Sequence, residues 1–506
     1  MMGKSQNLEP KLFYHTISLE TRLPQEHILR RIKQLVDFNF VRSRVAELYG
    51  KNGNLSVDPA VILKLMFLLF YENSNSERSL MEQLPLRLDW LWFCGYDLDD
   101  QTPNHSVISK ARRRWGQEVF AEFFANILQQ CIDGGLVDGS TVHIDSSIIN
   151  ANASRDSIKP QLRLLGHNLY NQLETESPSE HSDDDNNIDN GCNNEPELKQ
   201  RVSETDPDAR LGKKYGKSTL GYKDHRVVDD KCGIITATVT TPADTHDSKV
   251  FTKAIETHQS NTNVKVDTAV ADKAYGNSEN YKYLRESDIK ACIPHQRYGC
   301  RQDAEFSHDR FVYDADSDCY ICPAGQQIYR YDRDKPYKNN SYRYRAKRDT
   351  CQQCKFIDKC VSSKTNGRQV IRNIDAEYVE WADACISRHQ RRRLMSRRRY
   401  RAEGSFADAA NNHGFKRSRW RSIGKMRIQN LMIAAIQNVR KLLRYLNRGN
   451  RLAYAASTTA GIQCGTVLLK PLELTFGLVR ERILTFSKRI VGKFQIYPTY
   501  TKIIAF

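Results

Sequence analysis

The sequence predicts an α/β protein, with a mixed-sheet core that follows an all-helical region and contains a small cysteine-rich insertion. Apolar residues recur at helical spacing through the first 135 residues, and runs rich in β-branched residues begin near residue 140. Two Cys-x-x-Cys pairs fall between residues 310 and 370. A length of 506 residues is enough for three or four structural units.

The N-terminal region, residues 1–135, is predicted to be a helical domain. Asp58 and Pro59 suit the cap and first turn of a helix, and Ser74 with Glu77 has the spacing of a capping box. Thr102-Pro103 opens a further helix, which carries three consecutive arginines at 112–114. Two interpretations stay open: a helix-turn-helix-like DNA-binding domain, and a generic bundle with a solvated basic end.

Residues 140–300 are predicted to form the first part of the core. Strands are expected at 142–149, 221–228, 233–241, 264–271 and 291–294, with helices after 244 and at 278–286. Residues 174–197 are acidic and poor in apolar groups, which predicts a disordered insert. Residues 310–370 form the cysteine-rich insertion, and helices at 375–447 complete the core. We assign no role to the tail at 450–506.

The charge pattern favours a polyanionic partner. Lys and Arg number 77 against 60 Asp and Glu, a formal charge of +17, and eight arginines lie within 388–401. Solubility alone would explain the net charge, but its concentration in one run indicates a face that meets phosphate. The sequence shows neither a membrane span nor a signal peptide, so we expect a cytoplasmic protein. Thirteen scattered cysteines favour metal binding over disulfides.

Three acids are candidate metal ligands. Asp145 lies in the first predicted strand, Asp272 ends the fourth, and Glu403 follows the basic run. Taken singly, each has an ordinary structural explanation: a hydrogen-bonded strand residue, a turn cap, and a helical ion pair with Arg399. If the first and fourth strands are neighbours, the two aspartates converge at one edge. Carboxylate oxygens are the ligands that Mg²⁺ prefers, and two such ions can activate phosphodiester chemistry.

The cysteines of the insertion predict a structural zinc site. Spacing alone selects the pairs Cys319/Cys322 and Cys351/Cys354, with Cys360 left over. Four thiolates leave no open ligand position, so the zinc would be structural rather than catalytic.

Several motifs together resemble those of the DDE-type insertion-sequence transposases, in particular a subgroup with an N-terminal helical domain and a zinc-ribbon-like insertion. The matching segments are VHIDSSIINANASRD (142–156), the stretch 206–250, VADKAYGNSENY (270–281) and RRRYRAEGSFADAANNHGFKRSRWR (397–421). The resemblance implies an RNase H-like core and the catalytic residues Asp145, Asp272 and Glu403, which would bind Mg²⁺ or Mn²⁺. It also implies zinc ligands Cys322, Cys351, Cys354 and Cys360, with Cys319 as the alternative.

The chain departs from this family around the third acid. Arg399 fits the expected pattern, but Ser396 and Ala410 stand where a tyrosine and a lysine are usual. Lys416, Arg417 or Arg419 are candidates to replace the lysine. The predicted DNA-binding residues are therefore Arg391, Arg392, Arg393, Arg397, Arg398, Arg399, Lys416, Arg417 and Arg419.

The leading functional hypothesis is a transposase that cleaves and joins the DNA of its own mobile element. It would bind element ends and target DNA, assemble as a homodimer on DNA, and associate with the nucleoid. Two alternatives are a metal-dependent nuclease without strand transfer and a catalytically degenerate DNA-binding protein.

Overall fold

The computed structural model describes residues 18–50, 56–160, 201–214, 216–294, 306, 310–331, 341–361 and 367–459. The predicted disordered insert at 174–197 lies outside these residues, as does the tail from residue 460 onwards. The described residues up to Leu446 form one compact unit, and those from Asn447 to Thr459, the end of a helix, belong to a second.

The region before residue 135 is helical, as predicted. The helices are α1 Leu19–Arg22, α2 Ile28–Leu35, α3 Phe40–Val45, α4 Pro59–Tyr71, α5 Glu77–Gln83, α6 Leu88–Cys94, α7 Ser106–Trp115 and α8 Glu118–Asp133. Asp58 caps α4, because its carboxylate accepts the Ala60 N–H at 2.9 Å. The cap of α5 differs from the prediction: Ser76, and not Ser74, accepts the Ser79 N–H at 3.1 Å.

The N-terminal helices share their apolar core with the C-terminal helix. Helix α4 is buried on almost every side, and Phe67 and Phe70 are fully buried in it. The same cluster of buried side chains contains Met432 and Ile436 from the long C-terminal helix Ile423–Thr459. The predicted first domain therefore packs directly on the elements that complete the core, through shared apolar burial.

The central sheet is mixed, as the sequence predicts. Its strands are β1 Thr141–Asn150, β4 Arg210–Lys214, β5 Lys217–Asp229, β6 Ile235–Pro242, β7 Thr268–Ala271 and β8 Lys290–Cys292. They pair in the order β4-β5-β1-β7-β8, and β6 also pairs with β5. Strands β1, β7 and β8 are parallel, whereas β5 runs antiparallel to β1, β4 and β6. A separate short pair joins β2 Ile158–Pro160 and β3 Arg201–Ser203.

Helices cover both faces of this sheet. On the face of β1 that carries Val142 and Ile144 lie α9 Phe251–Thr262 and α10 Ser278–Glu286, in one apolar cluster. After the insertion the chain forms α13 Ala376–Ala384, α14 Arg388–Arg398, a π-helical turn Arg399–Glu403, α15 Gly404–Asn412 and α16 Ile423–Thr459. The π turn packs against β1 and β5. Among the described residues, no helix has the length and apolarity needed to cross a membrane.

The cysteine-rich insertion has its own small sheet. Five antiparallel strands pair in chain order: β9 Val312–Asp314, β10 Cys319–Ile321, β11 Gln327–Arg330, β12 Ser341–Arg345 and β13 Gln369–Asn373. Two short helices, α11 Arg348–Gln352 and α12 Ile357–Cys360, follow β12. Tyr320 of β10, Ile328 of β11 and Tyr344 of β12 are buried in an apolar cluster of the insertion, separate from those of the central sheet.

Candidate carboxylate site and its surroundings

Two of the three candidate acids lie side by side on neighbouring parallel strands. Ile144 of β1 is in register with Ala271 of β7, and each is followed directly by an aspartate, Asp145 or Asp272. The Asp272 carboxylate also accepts the Ala274 N–H at 2.9 Å and so caps a short helical turn. The turn-cap alternative and the ligand hypothesis for Asp272 are thus compatible, since one carboxylate oxygen is enough for the cap.

Glu403 joins this pair through Arg398. One guanidinium nitrogen of Arg398 donates to Glu403 Oε1 at 2.8 Å, and another lies 3.3 Å from Asp145 Oδ2. The side chain of Arg398 is only 11% exposed, so its charge is largely removed from water. A single buried cation therefore links the acid of the first strand to the acid of the C-terminal helices.

The π-helical turn explains which arginine takes this position. In an α-helix Glu403 would face the residue four positions earlier, Arg399, which was the expected partner. The turn Arg399–Glu403 is π-helical, with bonds spaced five residues apart. Glu403 accordingly contacts Arg398, five positions earlier, and Arg399 is exposed.

The electrostatics of Asp145 show that the three acids influence one another. Burial raises the pKa of Asp145 from its ordinary value of 3.8 to about 6, Arg398 opposes this rise, and Asp272 and Glu403 add to it. The side chain of Asp145 is 15% exposed. A bound cation would relieve this penalty, because it favours the charged carboxylate.

A lysine lies on the same face of β1 as Asp145. Lys416 donates its Nζ–H to Ser147 Oγ at 2.7 Å, and Ser147 is two residues beyond Asp145, on the same side of the strand. The backbone holds it there, since the Asn150 N–H donates to the Lys416 carbonyl at 2.9 Å. Of the three substitutes considered for the missing family lysine, Lys416 is placed beside the acids and Arg417 is exposed next to it.

Arg419 has a structural role that the sequence analysis missed. Its guanidinium donates to the carbonyls of Leu69 (3.4 Å) and Ser74, and it lies 4.8 Å over the Phe70 ring. Burial lowers the pKa of Arg419 to about 10. These contacts tie the last segment to α4 and its loop, and DNA binding by Arg419 stays a prediction.

The arginines of α14 divide into two groups. Arg391 donates to Asp383 at 2.9 Å and Arg397 pairs with Asp230, so both are bound within the protein. Of the other predicted arginines of this run, Arg398 contacts Asp145 and Glu403, whereas Arg392, Arg393 and Arg399 are exposed.

A fully buried ion pair lies on β5, the strand next to Asp145, and the sequence analysis did not single it out. Arg226 of β5 is the register partner of Asp145 and donates to Asp224 at 2.7 Å, with both side chains completely buried. Arg226 also donates to Gln437 Oε1 at 2.9 Å and to the Ser405 carbonyl at 3.3 Å. It therefore fixes β5 to α15 and α16, which follow Glu403. The sequence offers no signal for this pair, because Asp224 and Arg226 lie among other polar residues in the strand KSTLGYKDHRVVD.

Four cysteines of the insertion are close together. Cys322, Cys351, Cys354 and Cys360 line one cavity of about 40 Å³. Burial raises the pKa of Cys360, Arg368 opposes the rise, and the other three cysteines add to it. Backbone N–H groups donate to sulfur at Cys322 (from Gln326, 3.3 Å) and at Cys351 (from Arg368, 3.4 Å).

Cys319 is placed apart from these four. It is fully buried in β10, and the neighbours that raise its pKa, after burial, are Asp314 and Asp318 rather than cysteines. The geometry thus brings together the four cysteines implied by the family resemblance, and not the two Cys-x-x-Cys pairs. In the part of the chain that the structure describes, no group of three or more His, Cys, Asp or Glu side chains is arranged tightly enough to hold a metal ion.

Comparison with known proteins identifies two segments. Residues 17–114 match the family model described as "Transposase domain (DUF772)", and residues 321–443 match the one described as "Transposase DDE domain". No curated protein matches the chain. A solved structure titled "Cryo-EM structure of piggyBac transposase synaptic complex with hairpin DNA" is 12% identical, with 94% of this chain and 88% of that chain covered, at a TM-score of 0.29. A similarity at that score carries no argument about this fold. The two family matches support a DDE-type transposase.

Proposed function

We propose that this protein is a transposase that cleaves DNA at the ends of an insertion sequence and joins those ends to a target. The observation that supports the proposal has two parts: Asp145 and Asp272 each follow a register partner on adjacent parallel strands, and Arg398 contacts both Asp145 and Glu403. The matches to transposase domains at two separate segments support it.

The strand arrangement supports an RNase H-like core. The order β6-β5-β1-β7-β8 has a parallel half, and its first three strands are joined by consecutive antiparallel pairings. Both aspartates lie at the carboxyl ends of the β1/β7 pairing, where the side chains that carry chemistry are expected in such sheets.

The cofactor we propose is Mg²⁺ or Mn²⁺, held by Asp145, Asp272 and Glu403. The donor set fits, because all three side chains offer hard oxygen ligands and the site penalises the uncompensated negative charge of Asp145. Bound divalent ions would supply Lewis-acid stabilisation of the phosphodiester and activation of an attacking hydroxyl. Arg398 balances part of the acidic charge from within the chain.

The DNA partner is proposed to lie along the exposed basic residues near these acids. Arg392, Arg393 and Arg399 on α14 and the π turn, with Lys416 and Arg417, present cations that bind phosphates without reading sequence. Two element ends must be held together during joining, so we propose a homodimer assembled on DNA, working at the nucleoid.

Strand transfer distinguishes this proposal from the alternatives. The protein, with Mn²⁺ and labelled DNA that carries the flanks of this reading frame, is expected to join the labelled 3′-hydroxyl end to a target plasmid. Cleavage without any joined product would indicate a nuclease. Binding without cleavage would indicate a degenerate DNA-binding protein.

We also propose a structural zinc site formed by Cys322, Cys351, Cys354 and Cys360. The cavity they share and the N–H donation to two of the sulfurs support it. Bound zinc would fasten the helices α11 and α12 to the hairpin that carries Cys322.

Purified protein is expected to contain about one zinc per chain, because four thiolates complete one tetrahedral site. Cys354→Ser should lose most of that zinc in elemental analysis, whereas the matched variant Cys319→Ser should keep it. A wild-type zinc content near zero, or equal loss in both variants, would contradict the proposed ligand set.

A further inference from the structure

A cavity of about 190 Å³ lies beside the helices that follow Glu403, outside the carboxylate site. The turn after β5 forms one wall with Gly233, and the π turn contributes Arg401. Helix α16 supplies Gln437, Arg440, Lys441 and Arg444. On this measure one water molecule needs only ~10–15 Å³, so the cavity has room for a phosphate group.

The lining of this cavity is strongly cationic. Arg401, Arg440, Lys441 and Arg444 contribute positive charges, and Asp408 is the acid in the lining. Of these four described cations, Arg440 is the one that forms an ion pair with Asp408, at 3.2 Å. Arg401 donates to the Lys231 carbonyl at 2.8 Å and Lys441 donates to the Gly233 carbonyl, but carbonyls do not neutralise charge. The pocket therefore has a surplus of positive charge.

Two of these cations are close enough to oppose each other. The backbone of Gly233 has a φ of +71°, and a Cβ built there would lie 3.2 Å from Arg401 Nη1 and 3.7 Å from Lys441 Nζ. The pKa of Lys441 is lowered to about 8, chiefly by burial; Asp408 opposes this shift, and Arg226 and Arg401 contribute to it. Holding like charges in a half-buried cavity is unfavourable unless an anion joins them.

We propose that this pocket binds a phosphate group of the DNA backbone. The inference rests on the proposed function, and it adds cations of α16 to the basic run at 388–401, of which Arg401 lines the pocket. The cavity adjoins the segment of Glu403, since Arg401 and Gly404 both line it. Tyr400, 80% exposed, lies at the same wall. A phosphate seated here would fix the DNA relative to the helices that carry the third acid.

The experiment uses the full-length chain and a fluorescent 30-base-pair duplex of arbitrary sequence, with binding followed by anisotropy from 50 to 200 mM KCl. Arg444→Gln and Lys441→Gln should each weaken binding about tenfold, because each removes a charged hydrogen-bond donor to phosphate. Each should also reduce the slope of log K against log salt by about 0.9, the value for one phosphate.

Lys253→Gln is the matched control, because Lys253 is exposed on α9, on the opposite face of the sheet. It should leave affinity and slope unchanged. Arg444 is exposed, so its variant is expected to melt with the wild type and the result does not depend on a damaged fold.

Two results would overturn the proposal. One is that both pocket variants bind DNA as Lys253→Gln does. The other is that inorganic phosphate raises the melting temperature of the wild type but not of the variants, while the variants bind DNA as the wild type does. The pocket would then bind a small free anion and not the DNA backbone. Neither result depends on strand joining. A failure of the transposase proposal would therefore leave the phosphate-binding proposal intact, and a failure of the phosphate-binding proposal would leave the transposase proposal intact.

Discussion

Asp145→Asn is expected to reduce DNA strand cleavage by roughly a thousandfold or more, because metal-ion stabilisation of a phosphodiester transition state contributes several kcal/mol. The amide keeps the size of the side chain but offers one neutral oxygen in place of a charged carboxylate. DNA affinity should stay near that of the wild type, since the exposed arginines and Lys416 are untouched. The measurement is cleavage of end-labelled DNA beside a binding titration. Asp133→Asn, at an exposed position on α8, is the matched control.

The same variant is expected to fold more stably than the wild type when metal is chelated. Folding raises the pKa of Asp145 from 3.8 to about 6. The protonated carboxyl therefore favours the folded state, and this contribution to the free energy of unfolding is lost as the pH rises from about 4 to about 6. At pH 8 the penalty is at most about 3 kcal/mol, and Asn removes it. The melting temperature in EDTA should therefore exceed that of the wild type at pH 8, and the difference should shrink towards pH 4. Loss of cleavage with a lower melting temperature at pH 8 would instead indicate a damaged fold.

Arg226→Met is expected to have the largest effect on stability, about 3–5 kcal/mol, because it leaves the fully buried Asp224 carboxylate without its partner. Arg226 also supplies hydrogen bonds to α15 and α16, so the helices after Glu403 should loosen. Chemical unfolding followed by fluorescence would show a lower midpoint.

The double variant Asp224→Leu/Arg226→Met should recover part of this loss, since no unpaired charge is then buried. Arg42→Met is the matched control: it removes an exposed ion pair with Asp58, and exposed pairs contribute about 0–1 kcal/mol. If Arg226→Met unfolds no more easily than Arg42→Met, the buried pair does not fasten the sheet to the helices.

Much of the sheet could be predicted because its strands carry local signals. The run Val142–Ile149 is rich in β-branched residues, and a strand at Thr141–Asn150 follows. Strand β7 is shorter than predicted, at Thr268–Ala271, but its end before Asp272 is where the sequence places it. The short strands β2, β3 and β4 were not predicted, because they are polar segments held by pairing rather than by an apolar pattern.

The relation between the acids depended on a topology that the sequence only suggests. That Asp145 and Asp272 end up on adjacent strands follows from the parallel pairing of β1 with β7. Arg398 was named as one of several DNA-binding arginines, yet it lies between Asp145 and Glu403. Sequence alone does not distinguish Arg398 from the other seven arginines of the run. Its position depends on the π-helical turn, which shifts the register of the helix by one residue.

Buried polar networks account for the other misses. Arg419, which was predicted to bind DNA, and Arg226, which was not singled out, both donate hydrogen bonds inside the protein. The basic pocket around Lys441 is built from segments more than 160 residues apart, Gly233 and the C-terminal helices (401 − 233 = 168), and no local pattern connects them.

Binding of Mn²⁺ by the metal-free protein, measured by calorimetry without DNA, tests most directly whether the three acids act together. Asp145→Asn, Asp272→Asn and Glu403→Gln should each weaken Mn²⁺ binding at least about tenfold, because each removes a ligand. Asp133→Asn should bind as the wild type does. If Glu403→Gln binds Mn²⁺ as tightly as the wild type, the third acid does not belong to the site and the proposed catalytic centre is wrong.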